Sequence, residues 1–334
     1  MKRRPLIALL AASSVLTLAA APALERPARA QQATARRPRI VYLGVQSAAS
    51  IDPHQLNAFR TGLRENGLID GETVEVRCLW AEDHIERLRA LSTEIAQSDV
   101  DVVVTAAADA VRALIAAGAV QPIVLAVSTD PVDAGLVKSL ARPDGLVTGL
   151  ALSSIDLAAQ RIGLLKELAP SLRRVLVLHD PSMDAEGLEA ARLAAASLGI
   201  EVLLVEARDP AAFGSIFAAA VADHADGVAA IASTFFDDNR ARLVELALQH
   251  RLPSIWASAV YVRDGGLAAW TPSLADLYRR SAGYVAQLLK GVQAADLPIG
   301  EPAAFDLFLN RRAADRLGLA LPANLLTRAT EVME

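Results

Sequence analysis

The sequence predicts an α/β protein with two lobes, each built on a parallel, doubly wound sheet. Two observations carry this prediction: short apolar runs alternate with helical periodicity from residue 39 onward, and the second half of the chain repeats the order of the first. The length of 334 residues allows about two domains. Hydrophobic residues make up 53% and aromatic residues only 4%, so aliphatic strands covered by helices on both faces are expected.

The first half reads as strand and helix in strict alternation, which predicts right-handed crossovers between parallel strands. Strands are predicted at 39–45, 74–79, 100–104, 123–127 and 146–150. Pro131 suits the first turn of a helix. Val132, Leu136 and Leu140 follow it at helical spacing, so a helix is predicted between the last two strands.

The second half repeats this pattern at about the same spacing. Its predicted strands are 174–178, 200–205, 227–232 and 254–257. Residues 265–270 predict one more strand, which we expect to return the chain to the first lobe. A long amphipathic helix follows at 274–289, and another strand at 304–309.

Residues 1–30 are predicted to be a secretory signal peptide. Basic residues 2–4 precede an uncharged apolar run at 6–24, and a small-x-small cleavage pattern ends at Ala30. A membrane anchor is the alternative, but Pro22 breaks the Ala-rich run. We therefore expect a periplasmic protein.

The charge and the cysteine content exclude several classes of function. The segment 1–30 carries four net positive charges, so its removal changes the formal net charge from −5 to −9. An acidic protein binds nucleic acid poorly, because that affinity depends on neutralising phosphates. Cys78 is the one cysteine, and the five histidines show no metal-ligand spacing. No nucleotide-binding glycine motif is present. We expect no metal and no cofactor.

Three loops of the first half each follow a strand and enter a predicted helix. They are residues 46–50, 105–109 and 128–130. Their side chains are mostly small, so the backbone N–H groups at the helix N-termini are open to a carboxylate or another anion. Taken singly, each loop is an ordinary helix cap. Two lobes that face each other would line a cleft with such loops from both sheets.

Several stretches of the chain carry a family resemblance. The most specific is STDPVDAGLVKSLARPDGLVTGL at 128–150, and the others are 58–82, 251–270, 275–310 and 313–334. The chain resembles periplasmic substrate-binding proteins of ABC transporters, in the family whose better-known members bind tryptophan or tyrosine. The resemblance implies a type I periplasmic-binding-protein fold with three hinge crossings, capture of a small solute and delivery to a membrane permease. Since no catalytic motif is visible, we expect no enzymatic activity.

We predict that the ligand-binding residues line the cleft between the lobes. An amino-acid-like solute would place its carboxylate on helix N-termini and its amine near Asp130 or Asp180. Phe235 or Trp270 could stack on a flat ring, which adds about 1 kcal/mol beyond burial, although core packing is the alternative for both. The full predicted set is Gln46, Ser47, Ala107, Thr129, Asp130, Asp180, Thr234, Phe235, Ser258 and Trp270.

The predicted domain organisation and the alternative functions follow from this interpretation. After a disordered lead-in at 31–38, lobe 1 comprises 39–150 and 268–296, and lobe 2 comprises 151–267 and 297–334. We expect a monomer. An exported ligand-sensing partner of a membrane receptor would share the fold. An exported enzyme would have to use Asp130 and Asp180, because no nucleophile elbow or HExxH motif is present.

Overall fold

The computed structural model describes residues 36–129, 131–132, 134–152, 156–181 and 186–334. Residues Arg37–Glu334 form one unit. Its first sheet has five parallel strands in the order β2-β1-β3-β4-β5. These strands are β1 (Arg39–Gly44), β2 (Glu75–Trp80), β3 (Val102–Thr105), β4 (Ile123–Leu125) and β5 (Val147–Gly149), and the helices between them are α1 (Pro53–Glu65), α2 (Ile85–Ala96) and α3 (Ala108–Ala116).

The second sheet has seven strands in the order β12-β11-β10-β9-β8-β6-β7, and only β10 and β11 pair antiparallel. Its strands are β6 (Arg174–His179), β7 (Glu201–Glu206), β8 (Gly227–Ala230), β9 (Ser254–Trp256), β10 (Ala268–Pro272), β11 (Phe305–Asn310) and β12 (Glu331–Met333). The remaining helices are α4 (Asp156–Leu168), α5 (Glu186–Ser197), α6 (Phe213–Ala222), α7 (Thr234–Asp238), α8 (Arg240–Gln249), α9 (Ala259–Arg263), α10 (Leu274–Leu289), α11 (Arg311–Leu317) and α12 (Ala323–Arg328).

Both sheets have apolar cores on both faces. In β1, Val41 and Leu43 pack into one apolar cluster, whereas Ile40 and Tyr42 pack into another on the opposite face. In the second sheet, strand β6, which lies between β8 and β7, divides its side chains in the same way. Since successive side chains of a strand point to opposite faces, a strand covered on both faces needs a continuous apolar run. This confirms the doubly wound α/β fold.

The chain crosses between the two sheets three times, as predicted. It leaves the first sheet after β5, returns after β10 and leaves again before β11. The first and third crossings run side by side: Gly300 N–H donates to the Gly149 carbonyl at 2.9 Å, and Ala151 N–H donates to the Gly300 carbonyl at 2.9 Å. A short parallel bridge between Leu150 and Gly300 joins them.

The predicted position of the second crossing was wrong. Residues 268–272 do not return to the first lobe, because β10 pairs with β9 in register Ala268↔Ile255 and with β11 on its other side. The predicted start of the last segment at 297 was also too early, since Leu297 and Ile299 are buried in the apolar clusters of the first sheet. An apolar run identifies a strand, but it does not identify the neighbour with which the strand pairs.

The helix predicted after Pro131 is absent from the described residues 131–132 and 134–140, which form turns and bends. Gly135 adopts φ +68°, and its N–H donates to the Val132 carbonyl at 2.8 Å. Leu136 and Val137 are nevertheless buried against the first sheet. The apolar spacing therefore predicted correctly that Leu136 and Val137 are buried. It did not lead to a helix, because Gly135 adopts a left-handed backbone conformation that interrupts one.

Candidate functional site

The first-lobe residues predicted to contact the solute lie at the same end of the first sheet, where its parallel strands terminate. The strands β1, β3 and β4 are parallel and in register, and Gln46, Ala107 and Thr129 come just after their carboxyl ends. Carboxyl ends of parallel strands are where α/β sheets bind ligands. The structure therefore brings together the loops that the sequence singled out. Asp130 lies outside the described residues.

A buried threonine connects the loop after β3 to strand β1. Thr105, fully buried at the end of β3, donates its hydroxyl to the Leu43 carbonyl at 2.8 Å. Its oxygen accepts from the Ala107 N–H at 3.3 Å. A further hydrogen bond, from Leu152 N–H to the Ser128 carbonyl at 2.6 Å, fastens the loop after β4 to the first crossing. These hydrogen bonds connect the loops after β3 and β4 to the neighbouring strand β1 and to the first crossing.

The side chains of the first-sheet loops differ in exposure. Gln46 and Ser47 are half-buried and Thr129 is exposed. The hydroxyl groups of Ser47 and Ser50 lie 2.8 Å apart and share a hydrogen bond. These groups offer neutral donors and acceptors at the edge, together with the backbone N–H groups at the start of α3.

The predicted residues of the second sheet also stand at the carboxyl edge of its strands. Asp180 follows β6 and is half-buried; Thr234 is exposed at the start of α7, and Ser258 precedes α9. Ser233 caps α7 by accepting from the Phe236 N–H at 3.2 Å. Both sheets thus present polar groups at the carboxyl ends of their strands.

The two predicted aromatic residues are both engaged by the second-sheet core. The Phe235 ring lies 5.8 Å from that of Phe213 and 5.4 Å from that of Phe236. The Trp270 ring stacks on Phe305 at 5.4 Å with an angle of 21° between the planes. Both side chains are only half-buried, so each combines core packing with a remaining exposed surface.

Trp270 is also held by two residues of α4. Its indole N–H donates to Gln160 Oε1 at 2.8 Å, and its carbonyl accepts from Arg161 Nε at 2.9 Å. These bonds join α4, which follows the first crossing, to β10, which precedes the second. They hold the Trp270 ring and backbone against α4.

Arg161 was not among the residues predicted from the sequence. It is 5% exposed, and burial lowers its pKa to about 10, so it remains protonated at neutral pH. Tyr261 and Asp237 act on its charge. A cation four residues after Leu157 and four before Leu165 falls on the buried face of the helix, and that spacing was the available signal.

The two side chains that act on the Arg161 charge, the Asp237 carboxyl and the Tyr261 phenol, also have shifted pKa values. Burial raises the pKa of Asp237, while hydrogen bonding with Tyr261 and the charges of Arg240 and Arg161 oppose that shift. Burial, together with the nearby Asp237 charge, raises the pKa of Tyr261. Asp237 and Tyr261 belong to α7 and α9, the short helices that begin at the predicted contact residues.

Comparison with known proteins then decides the family. The model of the family described as "ABC transporter substrate binding protein" matches residues 49–333. The chain belongs to this family. The match covers the second sheet, all three crossings and every strand of the first sheet except β1.

This substrate-binding protein is similar to a curated relative from Clostridioides difficile (strain R20291) named "Tyrosine-binding protein". The two are 28% identical over 125 residues, which is 37% of this chain and 35% of the relative. The match thus spans about a third of the relative's length.

Solved structures agree with the fold of this substrate-binding protein. An ABC domain from Streptococcus pneumoniae in complex with L-Trp has a TM-score of 0.65 at 24% identity, and a conserved domain protein from Vibrio cholerae has 0.63 at 27%. The ligand-free, open structure of a substrate-binding protein with adhesive properties from Clostridium difficile has 0.76 at 20% identity. Each covers 89% of this chain and 100% of the other.

Two cavities of the substrate-binding protein lie away from the predicted site. Their volumes are about 280 and 350 Å³, and they are lined by residues such as Arg39, Asp99 and Pro122 at the amino ends of first-sheet strands. In the described part of the chain, no three potential metal ligands cluster. None of the described helices combines the length and apolar character needed to cross a membrane.

Thr105→Val is expected to destabilise the substrate-binding protein by about 1 to 2 kcal/mol. Valine keeps the shape but leaves the Leu43 carbonyl and the Ala107 N–H without this partner. Urea unfolding would measure the change. Thr93→Val is the control, because the Thr93 hydroxyl bonds only within its exposed helix, and its effect should stay within about 0.5 kcal/mol. Equal effects of the two substitutions would contradict the role assigned to Thr105.

Proposed function

We propose that this protein is the solute-binding component of an ABC importer. It captures a small amino-acid-like solute between its two lobes and delivers it to a membrane permease. The observation that carries the proposal is the placement of polar loops at the carboxyl edges of both sheets, with three crossings between them. In this proposal lobe 1 comprises 39–150 and 273–300, and lobe 2 comprises the rest of the two sheets.

The solute class rests on two kinds of support. A relative carries the name tyrosine-binding protein, and a protein of the same fold was solved with L-Trp. The loops supply backbone N–H groups for a carboxylate. Asp180, with the sequence-predicted Asp130, supplies the charge for an amine. The half-buried Phe235 and Trp270 supply aromatic surface for a side chain.

The proposed location and assembly follow from transport. A protein that hands a solute to a permease acts in the periplasm, and the predicted cleavage after Ala30 would release it there as a monomer. Mass spectrometry of the exported protein tests the cleavage site, and sedimentation of the mature chain tests the monomer.

A thermal-shift panel tests the function. L-tyrosine, L-tryptophan and L-leucine are compared with D-glucose. A solute that binds only the folded state at 100 times its Kd adds about 2.7 kcal/mol of stability, which for a chain of this size raises Tm by roughly 5 °C. We expect at least one amino acid to produce this shift and glucose to produce none. The absence of a shift with every amino acid would reject the proposed solute class.

Asp130→Ala is expected to abolish that shift without lowering the Tm of the unliganded protein. The physical reason is the loss of the carboxylate that neutralises the solute's amine. Asp315→Ala is the matched control, since Asp315 is exposed on α11 and its removal should leave the shift intact. A full shift in the Asp130→Ala variant would remove Asp130 from the site.

A further inference from the structure

Arg161 lies at the end of the second sheet where its parallel strands lead into the loops predicted to contact the solute. Its Nε donates to the carbonyl of Trp270. Trp270 lies in the middle of β10, one residue beyond the level at which the parallel strand β9 ends. The two side chains that act on its charge, Asp237 and Tyr261, belong to α7 and α9, the helices that follow β8 and β9. A buried cation therefore stands at the carboxyl edge of the neighbouring parallel strands β8 and β9, beside β10.

The charge of Arg161 lacks a close carboxylate in the described part of the chain, where no acidic oxygen lies within 4.0 Å of its guanidinium. Burial shifts Asp237, the acidic group that acts on it, toward its neutral form. The neighbouring Arg240 differs, because its Nε lies 2.9 Å from Asp264 Oδ2 and the side chain is 39% exposed. That contact is an ion pair without hydrogen-bond geometry.

Such an arrangement is costly without an anion. A buried charge costs several kcal/mol unless it is paired, and 5% exposure leaves little water around Arg161. Guanidinium carries five N–H donors in a planar fork that matches a carboxylate. One of these donors serves Trp270. The terminal nitrogens carry the other four.

We propose that Arg161 is a specificity-determining residue that binds the carboxylate of the solute at the carboxyl edge of β8 and β9, beside β10. This inference rests on the proposed function and deepens it. It adds the guanidinium of Arg161 to the loop N–H groups proposed above for the acid group, and it leaves the amine to the carboxylates predicted in the loops. Solutes without an acid group would leave the cation unmatched and bind weakly.

Isothermal titration with L-tryptophan and L-tryptophanamide tests the proposal. The two probes share the ring and the amine and differ in the carboxylate. A charge-assisted hydrogen-bonded pair is worth about 10-fold to 100-fold in affinity. We expect the unmodified protein to prefer L-tryptophan by at least about 10-fold. Arg161→Gln should weaken L-tryptophan by a similar factor and change the amide by less than about 3-fold, and Arg161→Lys should recover part of the loss.

Lys166→Gln is the matched control on the same helix. Lys166 donates to the Leu172 carbonyl at 2.7 Å, and its substitution should leave the preference between the two probes unchanged.

Equal affinity of the unmodified protein for both probes overturns the inference even if Arg161→Gln does not fold. Equal weakening of both probes by Arg161→Gln also overturns it, because a merely structural role has that effect. If the unmodified protein binds neither probe but binds another amino acid, the same comparison is made with that amino acid and its amide; if it binds no amino acid, the proposed function fails first.

Discussion

Gly149→Ala is expected to lower the free energy of unfolding by about 3 to 5 kcal/mol. Gly149 adopts φ +131°, a conformation that L side chains rarely take. A Cβ at this position would lie 2.2 Å from the carbonyl oxygen of Leu125 and 2.6 Å from its nitrogen. These are backbone atoms of β4, which is held between β3 and β5, so they cannot move aside at low cost.

The substitution would also disturb the hinge. Leu150 N–H donates to the Leu125 carbonyl at 2.9 Å, and the Gly149 carbonyl accepts from Gly300 N–H. Displacing β5 therefore weakens the junction of the first and third crossings. Urea unfolding followed by circular dichroism would show a lower midpoint.

Gly163→Ala is the control for this prediction. Gly163 lies inside α4, and a Cβ there would meet nothing within 4 Å. Alanine in a helix interior is favoured over glycine by about 0.5 to 1 kcal/mol, so this variant should be slightly more stable. A loss of less than about 1 kcal/mol for Gly149→Ala would contradict the close approach of β5 to β4.

Gly62→Ala is expected to destabilise the protein by about 2 to 3 kcal/mol, although alanine has a higher helix propensity than glycine. Gly62 lies in α1 where that helix meets α10, and a Cβ there would lie 2.0 Å from the Arg279 carbonyl oxygen. The gain of about 1 kcal/mol in helix propensity is smaller than the cost of overpacking a close helix contact. Thermal unfolding would measure the net loss.

Helix α10 is held in place by other contacts, so it cannot easily move away from a Cβ at position 62. The buried hydroxyl groups of Tyr42 and Tyr278 lie 3.0 Å apart, and Arg279 pairs with Glu65 at 3.1 Å. Gly283→Ala, on α10 itself, has no atom within 4 Å of its new Cβ and should be neutral or stabilising. If both glycine substitutions stabilise, the close contact between α1 and α10 is not present in solution.

The placement of the polar candidate residues relative to the strands could be predicted, because it depends on local sequence. A polar loop that directly follows an apolar run must stand at a strand's carboxyl end, and this held for the described residues among those predicted. The aromatic residues could not be assigned in this way. The sequence shows that Trp270 ends an apolar run, whereas its bond to Gln160 and its stacking on Phe305 depend on residues about 110 and 35 positions away.

Arg161 shows a different limit of the sequence. Its helical spacing predicts burial, but burial alone does not say which groups surround the charge. The partners Trp270, Asp237 and Tyr261 come from three separate elements, and only the folded second sheet brings them to one helix. The role of a charged residue depends on these neighbours.

The sequence by itself determined the α/β class, the repeated lobe, the existence of most strands and the position of polar loops at their ends, because each of these depends on neighbours within a few residues. The tertiary structure alone decided that β10 pairs in the second sheet, that the segment after Pro131 forms turns, and that Arg161 is buried beside Trp270. Strand pairing and side-chain surroundings are long-range contacts, and one apolar or charged pattern is compatible with several of them.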